Sequence, residues 1–116
     1  MADTLVSKFQ TISSPSGSYA AFDVGSFVTT VLSLVICNTD TDNGTFDVYI
    51  DPSGTATEDA GGTNTYIYTN QSLPAGSTFE HTDKIVLHAN DSLIVVGNDN
   101  SPYPSMSISC TTLKQT

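Results

Sequence analysis

Apolar and polar residues alternate with period two along most of this chain, the pattern of strands with one face on a core. In "SMSISC", Met106, Ile108 and Cys110 alternate with Ser105, Ser107 and Ser109. "TFDVYID" sends Phe46, Val48 and Ile50 one way and Asp47, Tyr49 and Asp51 the other, toward solvent. "TNTYIYTN" puts Ile67 on one face and Tyr66 and Tyr68 together on the other. Further strands read over residues 4–11 and 19–24 and in "STFEH", "KIVLHA" and "SLIVVGN". "SFVTTVLSLVICN" is the strongest strand, because β-branched Val28, Val31, Val35 and Ile36 crowd it. Its continuity predicts burial on both faces near its end.

Turn residues separate these runs. Asn43-Gly44 predicts a tight hairpin, since both residues tolerate positive φ. In "LPAGS", Pro74 is expected at the second place of a turn and Gly76 at the third, where φ is positive. Asn90-Asp91 marks another turn, and "DNSPYP" is a loop framed by prolines. No capping residue opens a stretch with a 3.6-residue period, so no helix is expected. Eight or nine short strands with regular turns predict an all-β fold, an antiparallel β-sandwich of jelly-roll-like type. Residues 1–25 read as an N-terminal strand and arm. Residues 26–116 read as the sandwich core, with a short C-terminal tail after Cys110.

Composition narrows the function. A length of 116 residues suits one domain. Charged residues are 13% of the chain, about half the usual share, and the polar surface comes from 17 Thr and 15 Ser instead. Three Lys, no Arg and twelve acids give a net charge of −9. Lys8, Lys84 and Lys114 are scattered in sequence, which argues against nucleic-acid binding and against anionic membranes. The N-terminus "MADTLVSKFQ" lacks the basic and apolar regions of a signal peptide, so synthesis in a cytoplasm is expected. In that compartment Cys37 and Cys110 are expected to be free thiols.

Candidate chemistry is sparse. His81 lies beside Glu80 and Asp83, and with His88 suggests a metal or acid–base site, but no third ligand has suitable spacing. The bland alternative is two polar residues at strand ends. Asp40-Thr41-Asp42-Asn43-Gly44 resembles the start of a calcium loop, yet Gly44 comes one place early and position 51 is Asp. An acidic turn is the simpler account. Asp47 and Asp51 share a strand face without a glycosidase context. No nucleophile elbow or phosphate loop is present. The chain therefore reads as no enzyme and as needing no cofactor. Phe9, Tyr19, Tyr66, Tyr68 and Tyr103 are the candidate partner-binding residues, since aromatic side chains suit interfaces.

One resemblance adds to this reading. A strand, "LPAGST", a strand, "KIVLHANDSLIVV", a loop and "SMSIS" resemble small β-sandwich virion proteins of tailed bacteriophages. "VLSLVICNTDTDNGTFDVYI" resembles their first hairpin, and the match spans roughly residues 31 to 110. Those proteins commonly place Gly where Asn90 stands and an acid where Cys110 stands. The resemblance implies a non-enzymatic capsid decoration (cement) protein that stabilises a phage head. The alternative it implies is a neck, tail, baseplate or fibre subunit that binds host glycans. By analogy the partners are itself, as a homotrimer, and the major capsid or another virion protein. The location implied is the virion.

Overall fold

Nine strands and no helix form among the residues that this computed structural model describes, 3–12, 19–52, 64–99 and 105–115. They are β1 (Asp3–Ile12), β2 (Tyr19–Asp23), β3 (Thr29–Asn38), β4 (Gly44–Asp51), β5 (Thr65–Leu73), β6 (Thr78–His81), β7 (Ile85–Leu87), β8 (Ser92–Asp99) and β9 (Met106–Gln115). The first sheet has the order β1-β9-β3-β6, with β7 pairing the other half of β3. The second has the order β2-β8-β4-β5. Every pairing is antiparallel. With β6 and β7 taken as one interrupted edge strand, eight strands wind between the two sheets as a jelly roll, as the alternation predicts.

The predicted hairpin at Asn43-Gly44 is not formed. β3 lies in the first sheet and β4 in the second, so the segment between them crosses the sandwich. Side chains rather than turn propensity set this crossing. Asn38 is fully buried, and its Nδ2 donates to the carbonyls of Asp42 (3.0 Å) and Leu73 (2.9 Å). Its Oδ1 accepts from the Asp40 N–H at 2.9 Å, and Asn43 Oδ1 accepts from the Ala75 N–H at 3.0 Å. These bonds satisfy the loop's own polar groups and tie it to the neighbouring connection.

That neighbouring turn differs slightly from expectation. Ser77 N donates to Pro74 O at 3.0 Å, so Pro74 holds the first place and Ala75 the second. Gly76 takes the third with φ 74°, as predicted. Asn90 has φ 69°, so it supplies the positive φ of its turn. The last strand does not stop at Cys110. It continues to Gln115 because β1 and β3 flank it on both sides and Thr112 extends the buried stripe.

The core lies between the sheets. Met106, Ile108 and Cys110 face Phe46, Val48 and Leu93 across it, all at most 2% exposed. β4 departs from the simple alternation. Tyr49 and Asp51, expected in solvent, are 1% and 0% exposed. On the outer side of the second sheet, Tyr49 packs with Ile94, Val96 and Ala21 in a smaller cluster. β5 departs further. Its register against β4 shifts on either side of Val48, pairing Phe46 with Gln71, Val48 with Tyr68 and Tyr49 with Tyr66. Each shift places an extra residue on β5, a bulge that turns neighbouring side chains to one face. Asn70 takes φ 49° there, and its N–H donates to Asp47 Oδ1 at 2.6 Å. Tyr66 and Tyr68 consequently do not share a face: Ile67 and Tyr68 pack on the core.

Candidate functional site

The five aromatic candidates fall in different places. Phe9 is 74% exposed on the outer face of the first sheet. Tyr19 (39%) and Tyr66 (53%) are exposed on the opposite side of the sandwich, where the Tyr66 ring lies 5.0 Å from that of Tyr49. Tyr68 points inward, edge-on to Phe79 at 4.9 Å. Tyr103 lies outside the described residues. No single aromatic platform is therefore assembled from Phe9, Tyr19, Tyr66 and Tyr68.

The outer face of the first sheet is the distinctive surface. The ladder sets Phe9, Ser109, Val35 and Glu80 in one cross-strand row. A second row runs through Leu5, Leu113, Thr30 and Val86. Leu5 is 66% exposed and Val86 52%. Ser7, Thr11, Ser107 and Thr111 fill the space between. Phe9, Val35 and Cys37 border a shallow depression of about 300 Å³ on this face. In a chain of net charge −9, the outward ladder positions of this sheet carry charge at Glu80 and, near the rim, at Asp3, while Asp83 and Lys84 stand exposed at its edge between β6 and β7. β1 also forms the sheet's edge, pairing with β9 alone among the described strands.

A cleft of about 410 Å³ opens between β1, β9, the start of β3 and the end of β2. Lys8, Lys114, Thr29, Thr112, Val24 and Asp23 line it. Lys8 Nζ donates to the Asp23 carbonyl at 3.0 Å, and the Lys114 ammonium sits 5.1 Å from the centre of the Phe27 ring. The Asp23 carboxylate accepts from Ser92 Oγ at 2.5 Å. Two of the chain's three cations thus converge on one site, although 106 residues separate them in sequence.

The histidines are not brought together as a ligand pair. His81 ends β6 with Nδ1 2.7 Å from the Tyr68 hydroxyl, inside the aromatic cluster of Phe46, Tyr68 and Phe79. His88 is exposed in the turn after β7, where its N–H donates to Asp91 Oδ2 at 2.9 Å. Among the described residues no three His, Cys, Asp or Glu side chains stand close enough to share a metal ion. In the acidic loop, Asp40 Oδ1 accepts from the N–H groups of Thr41 (2.6 Å) and Asp42 (3.3 Å). That is the chemistry of an Asx turn.

Cys37 and Cys110 are free and project from opposite faces of the first sheet. Cys110 is fully buried, and desolvation pushes its thiol up to about 11, with Lys8 pulling weakly the other way. Two outcomes are expected. A maleimide labels Cys37 in the native protein and Cys110 only after unfolding, as mass spectrometry of the peptides will read. Stability also falls as pH rises from about 9 to about 11, because the unfolded state loses this proton first. The loss approaches about 2–3 kcal/mol at the upper end. Cys110→Val removes this alkaline slope in urea titrations, and an unchanged slope would assign it elsewhere.

No protein family model matches the chain, and no curated protein matches it in sequence. Solved structures do match in fold. One is a protein of the T13 particle of infectious bursal disease virus, at TM-score 0.58 and 13% identity, covering 96% of this chain and 31% of that one. Another is from the Gt strain of the same virus, at TM-score 0.51 and 14% identity, covering 97% and 31%. A xylan-binding domain from Paenibacillus barcinonensis follows at TM-score 0.45 and 7% identity, covering 81% and 62%. The chain spans about a third of the length of the virus-particle proteins it matches. At these identities the likeness to the virus-particle proteins is one of fold, the β-sandwich.

Proposed function

We propose that this chain is a structural virion protein, a capsid decoration (cement) subunit that sits on a protein shell and stabilises it. The observation that carries the proposal is the outer face of the first sheet. It is broad and rich in Ser and Thr, bears exposed Leu5, Phe9 and Val86, and is almost uncharged on a strongly acidic molecule. Like charges brought together at an interface cost several kcal/mol, so an acidic protein docks most readily through the surface that lacks them. Exposed apolar residues grouped on one face mark an interaction site rather than scattered surface. The shared fold with proteins of an icosahedral virus particle supports the same reading. In it the jelly roll is a rigid block and no substrate is turned over. The protein is made in the host cytoplasm and assembles as a trimer on the finished head.

Tyr66, exposed beside Tyr49, supports the second reading, a tail or fibre subunit that stacks on a host sugar. One experiment separates the two. Gradient-purified particles carry the chain in fixed stoichiometry, and Phe9→Glu leaves it in the soluble fraction while Tyr66→Ala attaches as wild type does. Phe9→Glu that attaches fully overturns docking through the first sheet. Loss of host-cell adsorption by Tyr66→Ala particles that still carry the chain favours the second reading.

A further inference from the structure

We infer that the lysine-lined cleft is a socket for the acidic 39–43 loop of a second copy of this chain, so that copies join head to tail. The inference rests on the assembly reading above and adds the contact between subunits. The lysines gather toward one end of the molecule, where Asp3, Asp23 and Asp91 also stand. Lys114 lies at the end of β9, paired with Thr4 and with Thr29 at the start of β3. Lys8 lines the same cleft, and Lys84 precedes β7, which pairs with that same half of β3. The 39–43 loop follows the other end of β3, so the two sites sit at opposite ends of that strand. It carries Asp40 and Asp42, and no lysine falls in any connection at its end of the sandwich.

The two surfaces are chemically matched. Asp42 is exposed, and its bonds to the fold are made by its main chain, the carbonyl to Asn38 Nδ2 and the N–H to Asp40 Oδ1. Asp40 is engaged locally by the loop's N–H groups, which fixes the loop's shape. In the cleft, the Asp23 carboxylate is turned to the Ser92 hydroxyl, leaving two ammonium groups against one partly satisfied acid. The hydroxyls of Thr29 and Thr112 already donate within the chain, to Phe27 O and Val6 O, so the lysines are the donors left for an incoming carboxylate. Two copies of charge −9 repel in most orientations, and this contact pairs opposite charges. Because it joins two different patches, it closes into a ring when the rotation allows, which is what a trimer requires and a face-to-face dimer does not.

The test is charge exchange read by sedimentation velocity. Wild type sediments as an oligomer. Lys114→Glu and Asp42→Lys each weaken association by about tenfold or more, toward monomer. An equimolar mixture of the two associates again, since each now offers the sign that the other's surface needs, with two of the three contacts of a mixed trimer matched. Asp42→Lys changes an exposed side chain whose loop bond is made by the main chain, so it keeps the fold even where Lys114→Glu does not. Either folded variant sedimenting as wild type does, or a mixture of folded variants that stays monomeric, overturns the socket. A wild type that is monomeric at all concentrations yet attaches to particles also overturns the socket, while leaving the decoration role intact.

Discussion

Phe46→Ala is expected to lower stability by about 4 kcal/mol, among the larger effects available to a single substitution. Phe46 is 0% exposed and belongs to β4 of the second sheet. Its ring stands 4.9 Å from that of Phe79 on β6 of the first sheet and 6.3 Å from Tyr68 on β5. Tyr68 in turn meets Phe79 edge-on and holds His81 through its hydroxyl. Truncation removes the ring that bridges the two sheets, and the surrounding β-strands, fixed by their ladders, cannot close around the gap. Tilted aromatic pairs contribute about 0.5–1.5 kcal/mol beyond the area they bury, so Phe46→Leu loses that term while filling most of the volume. Urea unfolding should show a lower midpoint at unchanged slope for both, with Phe46→Leu at roughly a third of the alanine effect. An alanine effect below about 1.5 kcal/mol would mean that the sheets are not clamped at this cluster.

The strands were legible because their chemistry is local. Met106, Ile108 and Cys110 alternate with serines, and the structure buries the three apolar residues as that alternation requires. The turn at Asn90-Asp91 was legible for the same reason, and Asn90 supplies its positive φ. The hairpin at Asn43-Gly44 misled because a turn signal says that the chain reverses, not that the two strands lie in one sheet. Which sheet β4 joins is decided by Phe46, Val48 and their partners in β8, far along the chain. The separation of Tyr66 from Tyr68 was illegible because a bulge shifts parity by one, and "TYIYTN" carries no glycine to announce it. The lysine cleft was the least legible feature. Lys8 and Lys114 looked scattered until the ladder of β1 on β9 brought the chain's two ends together. Pairing between the first and last strands leaves no trace in either one alone.

The same distinction between local and distant chemistry identifies the second large effect. Asn38→Ala is expected to cost about 3 kcal/mol although it removes only a small polar side chain. The amide of Asn38 has three partners: the carbonyls of Asp42 and Leu73 and the N–H of Asp40. The bond to Leu73 is buried, and alanine would remove the side-chain donor from that carbonyl, a loss of about 1–3 kcal/mol where no water can replace it. Loss of the other two adds about 0.5–1.5 kcal/mol each at most, less where water reaches the loop. Asn38→Asp is no remedy, since it keeps the acceptor for Asp40 N–H but sets a carboxylate against two carbonyl oxygens in a buried position. Asn43→Ala is the control. It removes one exposed bond to Ala75 N and should cost under about 1 kcal/mol. If urea unfolding finds the two alanine variants equal, the crossing between the sheets is not held by Asn38. If Asn38→Ala is the costlier, the residue that routes β3 into β4 also sets the loop carrying Asp42, and a folded Asn38→Ala protein should assemble more weakly than wild type.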